Sequence, residues 1–274
     1  MTDTEQAPEI DDKPARDRRY AALQGVGRGM TILETLARQP MRAKDLAETL
    51  ELKWTTAHRT LTYFEEQGYL ERDPGSGEYS IGARIYALGG TYLTRHQFAH
   101  AAGPHLRTAA DHLECGAQAN ERYALSVITV AAIDPPTDIP KTSPGFTFPL
   151  GVAAKGHLLL AFAPEDVREQ MLASPLPAFT EHTITDPDEM RERLTLLRKE
   201  GHAVTREDLQ LDVGSAAAVV RDAQDEVIGC VSLVVKSALL DDQEFCDKLV
   251  SRARQAAASI SLALGWHPRP QARP

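Results

Sequence analysis

Residues 43 to 70 carry two helical patterns of apolar residues separated by a short turn. The first helix is predicted from apolar residues at helical spacing: Ala43, Leu46, Ala47 and Leu50. The second helix is predicted from Lys53 onward, and its core-facing residues recur at positions i, i+4 and i+7: Ala57, Leu61 and Phe64. This part of the chain therefore predicts a helix-turn-helix.

The opposite side of the second helix is polar. Hydroxyl, imidazole and guanidinium groups suit base edges and phosphates, and the start of such a helix can enter the major groove of DNA. We therefore expect DNA contacts from this side, with Lys44 and Lys53 on phosphates. The full set is Lys44, Lys53, Trp54, Thr55, Thr56, His58, Arg59 and Thr62. Trp54 either packs on a sugar or a thymine methyl group, or caps the protein core.

A hairpin follows the helix pair. Residues Tyr69 to Arg72 and Glu78 to Ile81 alternate like short strands, and the turn residues Asp73 to Gly77 lie between them. An apolar helix is also predicted before the pair, from Gly29 to Arg38. A helix pair alone would equally fit a small bundle that binds nothing, but three helices and a hairpin follow the order of a winged helix.

Downstream, a helical stretch is predicted from Ile85 to Leu113, with interruptions at Gly89-Gly90 and Gly103-Pro104. Strand and helix patterns then alternate and predict a sheet with helices on its faces. The fold class is α+β. The predicted organisation is a disordered tail (1–19), a winged helix-turn-helix (20–85), linker or dimerisation helices (86–113), an α/β effector-binding domain (114–265) and a loose tail (266–274).

Charge is distributed unevenly along the 274 residues, whose net charge is −9. Residues 13–84 carry twelve Lys and Arg against ten Asp and Glu, and they form the one positively charged section. Because this excess is small, we expect two copies in a dimer to bind DNA better than one. We expect a cytoplasmic protein with no membrane association, since there is no long apolar run or signal peptide and the three cysteines lie far apart.

The sequence contains only weak signals for a metal site or a catalytic site. His96 and His100 have the i, i+4 spacing that can share a metal ion, but an exposed polar helix face is the favoured interpretation. Ser215 lacks the flanking glycine of a nucleophile elbow. We expect no metal, no cofactor and no catalytic residue.

The chain resembles the IclR family of bacterial transcriptional regulators from about Gln24 to Leu264. In the first domain the resemblance rests on the His58-Arg59 pair, the run EEQGYLERD and the following LG. In the second it rests on LGVAAKGHLLLAF, on TEHTITDPDEMRERLTLLRKEGHAV and on AAAVVRDAQDEVIGCVSL. The resemblance implies a winged helix, a linker helix and a GAF-like effector-binding domain. It also implies a homodimer or a dimer of dimers.

The resemblance further implies a ligand held by a glycine-alanine loop, an Asp, a Cys and two Ser residues. The corresponding residues here are Ala153, Ala154, Lys155, Thr205, Ser215, Ser232 and Val234. A carboxylate is thus replaced by the Thr205 hydroxyl, and a serine hydroxyl is replaced by the Val234 isopropyl group. We therefore expect a larger effector with little charge, for example an aromatic compound. Lys155 either pairs with a ligand carboxylate or points to solvent.

Together these patterns predict a regulator that binds double-stranded operator DNA and senses a small organic effector. A repressor of a catabolic operon is favoured over an activator. The alternatives are a small-molecule enzyme with an accessory helical domain, and an interaction module whose winged helix contacts protein.

Overall fold

The computed structural model describes residues 15–136, 139, 141–173 and 175–267, without the side chains of residues 15–23, 93 and 94. The described residues form two compact units, one up to Tyr92 and one from Leu93 onward. Most of the predicted N-terminal tail (1–14) and of the predicted C-terminal tail (268–274) lies outside the described residues. None of the described helices is long and apolar enough to cross a membrane.

The first unit is a winged helix, as the sequence predicts. Its elements are α1 (Ala15–Arg38), β1 (Met41–Arg42), α2 (Ala43–Thr49), α3 (Trp54–Glu66), β2 (Leu70–Arg72), β3 (Glu78–Ile81) and the start of α4 (Ala83–Arg95). The strands form an antiparallel sheet in the order β1-β3-β2. In the hairpin turn the Asp73 carboxylate accepts hydrogen bonds from the backbone N–H groups of Gly75 and Ser76. The helices pack on the core residues Ile32, Leu36, Leu46, Leu61, Leu70 and Tyr79.

The start of the first helix was predicted wrongly. Helix α1 begins at Ala15 rather than Gly29, so it includes residues 15–19 of the predicted tail. The predicted start rests on the apolar residues Ile32, Leu33 and Leu36, and the glycines at positions 25, 27 and 29 have a low helix propensity. Gly29 instead permits close packing, because a Cβ atom there would lie 3.0 Å from Cζ of Phe64.

The interruptions predicted between residues 85 and 113 were also wrong. Helix α4 runs through Gly89-Gly90, and α5 (Gln97–Leu113) runs through Gly103-Pro104. The break falls at His96, whose Nδ1 accepts a hydrogen bond from the backbone N–H of Ala99 and so caps α5. A side chain acting as a cap decides this boundary, and helix propensity alone does not reveal it.

The second unit is built on an antiparallel sheet of six strands in the order β6-β5-β4-β9-β8-β7. The strands are β4 (Gly116–Tyr123), β5 (Ser126–Ile133), β6 (Thr147–Pro149), β7 (His202–Arg206), β8 (Val213–Arg221) and β9 (Val227–Lys236). The helices are α5, α6 (Ala153–Ala161), α7 (Glu165–Met171), α8 (Pro187–Glu200) and α9 (Gln243–Ala263), and a 3-10 helix spans Ser237–Asp241.

Residues of the central strands alternate between the two faces of this sheet. On one face, Val231, Leu233 and Val235 of β9 pack in a core with residues of α5 and α9. On the other face, Cys230 packs in a second core with residues of α6 and α8. Because the next residues on that second face are Ser232 and Val234, this face is apolar at one end and partly polar at the other.

Candidate functional site

The exposed side of α3 carries the residues that were predicted to contact DNA. Ala57 and Leu61 are fully buried and fix the orientation of the helix. Trp54, Thr55, His58 and Arg59 are exposed, whereas Thr56 and Thr62 are half-buried. Lys44 and Lys53 are exposed on α2 and just before α3, and Lys44 lies 3.9 Å from the carboxylate of Glu48.

Trp54 lies on the surface and does not cap the core. Its ring stacks on the imidazole of His58, with centroids 4.8 Å apart and an angle of 29° between the planes. The indole remains 54% exposed. The stacked pair presents one aromatic face and one polar ring from the first turns of α3, which suits contact with both bases and sugars.

Electrostatics at the start of α3 favour an anion. The first turn carries no acidic residue, and Lys53 precedes it. The unpaired N–H groups of a helix N-terminus hold partial positive charge, so this end can meet a phosphate while the exposed face meets base edges.

A polar pocket opens on the α6 side of the second unit. Its floor follows the register of the sheet, in which Thr205 of β7 lies opposite Ser215 of β8, and Ser215 lies opposite Val234 of β9. In the neighbouring row, Ser232 of β9 lies opposite Gln118 of β4. The Thr205 and Ser215 hydroxyl oxygens are 3.1 Å apart and share a hydrogen bond.

The N-terminus of α6 covers this floor. The backbone N–H of Ala154 donates to the Ser215 hydroxyl at 3.4 Å. Ala153 has a left-handed backbone with φ of 58°, and its N–H donates to Asp208 at 2.6 Å. This conformation is strained for a residue with a Cβ atom, so the contact with Asp208 helps to hold the loop.

Lys155 points into the pocket and is 5% exposed, which answers the alternative left open by the sequence. Its Nζ donates to Oε1 of Gln118 at 2.8 Å and lies 3.4 Å from the centroid of the Phe148 ring. Burial lowers the pKa of Lys155 from 10.5 to about 7, because a charged ammonium loses its hydration there.

Six of the seven predicted effector-binding residues line one cavity of about 90 Å³. They are Ala153, Lys155, Thr205, Ser215, Ser232 and Val234. Ala154, the seventh, contributes its backbone N–H to Ser215 instead. The structure therefore brings the predicted set together, although the set spans four elements of the second unit.

Sequence reasoning missed several residues here. Gln118 and Phe148 line the cavity, and Asp208 lies beneath it with Oδ2 at 3.2 Å from Nε2 of His157. Both members of that pair are almost fully buried. Gln118 was missed because β4, with the sequence GAQANERY, has none of the β-branched residues that signal a strand.

The histidines considered for a metal site have other surroundings. Nε2 of His96 lies 3.1 Å from the carboxylate of Glu121, and Nδ1 of the same ring caps α5. Within the described part of the chain, no group of three or more His, Cys, Asp or Glu residues is arranged to hold a metal ion.

Similar proteins are transcriptional regulators. The glycerol operon regulatory protein of Streptomyces griseus is 30% identical over 247 residues, which cover 89% of this chain and 97% of that protein. The DNA-binding transcriptional repressor YiaJ of Escherichia coli is 28% identical over 257 residues, which cover 90% of each chain. The crystal structure of an IclR transcriptional regulator from Alicyclobacillus acidocaldarius has 27% identity and a TM-score of 0.77, and the match covers 88% of this chain and 99% of that one.

Family descriptions agree with these relatives. Residues 17–84 match the HVO_A0261 N-terminal domain. Residues 90–262 match the bacterial transcriptional regulator IclR C-terminal domain. With the winged helix and the helix-covered sheet both in place, the chain belongs to the IclR family of bacterial transcriptional regulators and not to a family of enzymes.

Proposed function

We propose that this protein is a cytoplasmic repressor of a catabolic operon, that it binds operator DNA as a dimer, and that a small organic effector controls its binding. The observation that carries the DNA-binding part is the two-sided character of α3. Ala57 and Leu61 anchor one side, while Trp54, Thr55, His58 and Arg59 stand exposed on the other. Repression is supported by the relative that is named a repressor.

The effector part of the proposal rests on the pocket. Hydroxyl groups of Thr205, Ser215 and Ser232 and a buried ammonium converge on one cavity. A few polar groups around a concave site are typical of small-molecule recognition. Ligand binding there would shift the equilibrium between DNA-binding and released states by roughly 1–3 kcal/mol in a typical allosteric protein.

The dimer part of the proposal is supported by an apolar groove of about 730 Å³ within residues 1–92. It lies between α1, α3 and α4, and its lining includes Val26, Met30, Leu33, Tyr63, Ile85 and Leu88. Val26, Met30 and Leu88 are 62%, 52% and 59% exposed. Because large exposed apolar patches mark interaction sites, a second copy of the chain is a suitable occupant.

DNA binding can be tested by fluorescence anisotropy with the full chain and labelled duplexes from the regions flanking its gene. We expect Arg59→Ala to weaken DNA binding. If the guanidinium reads a base, the loss should be about 1–3 kcal/mol and should relax specificity at that position. If it contacts a phosphate, the loss should be the same for all DNA sequences. Arg107→Ala removes the same charge from an exposed position on α5 and should leave binding unchanged.

The salt dependence of binding distinguishes a DNA-binding regulator from a module that contacts protein. A protein that neutralises phosphates releases counterions, so the affinity for DNA should fall steeply as salt rises. Absence of DNA binding, or an interaction that salt does not weaken, would instead favour a module for protein contacts. Equal affinities of Arg59→Ala and the wild type would show that the exposed side of α3 is not the DNA-binding surface.

A further inference from the structure

Lys155 is a buried amine that lines the cavity and has only neutral partners. Its Nζ donates to Oε1 of Gln118 at 2.8 Å and lies over the face of the Phe148 ring. Among the described residues, no carboxylate lies within ion-pairing distance of Nζ. An ammonium with 5% exposure and no opposite charge is costly to bury, so these surroundings favour the neutral amine.

The other side chains around the cavity do not offset this cost. Lys155 is the only titratable side chain that lines the cavity, and the rest of the lining is hydroxyl, amide, aromatic or aliphatic. On the neighbouring strand β9, burial raises the pKa of the Cys230 thiol to about 12, so this group carries no charge near pH 7. The amine therefore has no anionic neighbour in the cavity.

Asp208 is the only buried acid among the described residues, and it is already engaged. Its Oδ2 accepts from the Ala153 N–H at 2.6 Å and lies 3.2 Å from Nε2 of His157. This carboxylate therefore holds the loop at the start of α6 and is not a counter-ion of Lys155.

The neutral form of a lysine amine is a nucleophile, whereas the ammonium is not. The pKa of Lys155 is about 7, so about half of the molecules carry the neutral amine at pH 7. An exposed lysine has a pKa of roughly 10.4, and only about one in a few thousand is neutral at the same pH. Removal of water from around a lysine is a general way in which proteins activate this side chain.

We propose that Lys155 is a covalent reaction site that captures a small uncharged aldehyde or ketone as a reversible imine. This inference goes beyond the proposed regulation, because it concerns the reactivity of the cavity and does not require that the captured compound alters DNA binding. The cavity measures about 90 Å³. Since one water molecule takes up roughly 30 Å³ of the liquid, the cavity has room for a carbonyl compound with a few heavy atoms.

The reaction needs no oxidant or reductant. The Nζ lone pair attacks the carbonyl carbon and forms a C–N bond, while the π electrons of the C=O bond move to the oxygen. Transfer of one proton from nitrogen to oxygen gives a neutral carbinolamine. Its hydroxyl then takes up a proton and leaves as water, while the nitrogen forms the C=N bond and loses its remaining proton. Addition of water reverses these steps and releases the carbonyl compound.

The hydroxyl groups of the cavity are placed to assist these proton transfers. Oγ of Ser232 lies 3.5 Å from Oε1 of Gln118, the same oxygen that accepts from Nζ of Lys155. The amine and this hydroxyl are therefore neighbours. Thr205 and Ser215, whose hydroxyl oxygens are 3.1 Å apart, line the same cavity and can donate to the oxygen that develops negative charge.

The experiment traps the imine on the full-length protein. The protein is exposed briefly to propanal at pH 7 with sodium cyanoborohydride, which reduces an imine to a stable secondary amine, and peptide mass spectrometry then locates the propyl group. We expect the initial rate of labelling at Lys155 to exceed that at the exposed Lys44 and Lys199 by about tenfold or more, because far more of its amine is neutral.

The pH profile separates this reactivity from mere access of the reagent. Between pH 7 and pH 9 the neutral fraction of an exposed lysine rises about tenfold per pH unit, whereas that of Lys155 can only about double. The ratio of labelling at Lys155 to that at Lys199 should therefore fall about tenfold or more over this range. In urea, where the cavity is lost, the preference for Lys155 should disappear.

Two variants serve as matched controls. Lys155→Met should lose the selective label and keep the slow labelling of the other lysines. Lys199→Met, which removes an exposed lysine on α8, should retain full labelling at Lys155.

Three results would overturn the inference: labelling of exposed lysines without labelling of Lys155, equal rates at Lys155 and Lys199 at pH 7, or a ratio of rates that does not change with pH. These outcomes are independent of the proposed regulation, because labelling is measured without DNA. If propanal labels Lys155 selectively but leaves operator affinity unchanged, the inference is confirmed and the proposed regulation gains no support from it.

Discussion

The ammonium of Lys155 gives the folded protein a pH dependence of its own. The pKa of this group is about 7 in the folded chain and 10.5 when unperturbed. Between these values the unfolded chain binds a proton that the folded chain does not, so the free energy of unfolding rises with pH across this window. Below the folded pKa the cost of burying the charge is fully present.

We therefore expect Lys155→Met to be more stable than the wild type, by most at about pH 6 and by progressively less toward pH 10. Urea unfolding of both proteins across this range measures the difference. Other titratable groups contribute alike to both proteins, so their contributions cancel in the difference between the two free energies of unfolding. A difference that stays constant with pH would show that Lys155 does not change its protonation on unfolding.

Asp208 tests how the loop at the start of α6 is held. Replacement with Ala removes the acceptor of the Ala153 N–H and leaves His157 buried without its carboxylate. We expect Asp208→Ala to lower the free energy of unfolding by about 1–3 kcal/mol, the usual cost of an unpaired buried polar group. Asp188→Ala, which removes an exposed acid paired with Arg191, should cost little when measured in the same denaturation experiment.

At the scale of elements, Gly82 connects the wing to α4 at a point of close backbone approach. A Cβ atom there would lie 2.6 Å from the carbonyl oxygen of Gly68 and 3.0 Å from backbone atoms of Leu70. Because backbone cannot move aside as a flexible side chain can, we expect Gly82→Ala to lower the melting temperature of residues 1–92.

The matched control is Gly89→Ala in the middle of α4, where a Cβ atom meets nothing within 4 Å. This change should leave the helix as stable or add up to about 1 kcal/mol, since alanine has the higher helix propensity. If thermal unfolding ranks the two variants in the opposite order, the wing does not pack as described.

Elements with strong periodicity could be predicted from sequence, and those governed by a single contact could not. The sequence predicts a strand from Val227 to Lys236 and a helix from Asp188 to Glu200, because each segment combines a clear pattern with turn or cap signals. The observed β9 has these bounds, and α8 begins one residue earlier. Strand β4 lacked such a pattern. The break at His96 depends on one side-chain cap, which has no signature in hydrophobic spacing. Helix α1 continues through three glycines, although glycine has a low helix propensity.

In the pocket, too, the sequence predicts which residues take part but not the contacts that bury one of them. The resemblance to a family gave six residues that do line one cavity. The burial of Lys155 could not be predicted, because it depends on Gln118 from an unpredicted strand and on Phe148 from a short edge strand. A lysine in a helix is usually exposed, so only the three-dimensional arrangement shows that this one lies inside.

For the whole molecule, the small positive charge of residues 13–84 makes assembly important for DNA binding. Leu88→Glu places a charge in the apolar groove between α1, α3 and α4. We expect this variant to sediment as a smaller species than the wild type, because a carboxylate opposes burial of the groove against a second copy. Its affinity for operator DNA should fall as well, since a dimer bound to two half-sites gains from both winged helices.

Leu196→Glu is the matched control, because Leu196 is an exposed leucine on α8 that does not line the groove, with 45% of its surface exposed. It should change neither sedimentation nor DNA affinity. Sedimentation velocity and anisotropy measured on the same preparations link the two effects. If Leu88→Glu keeps the wild-type assembly but loses DNA binding, the groove contributes to DNA contact rather than to assembly. If it changes neither property, the groove is not the surface that joins two copies, and another part of the chain must do so.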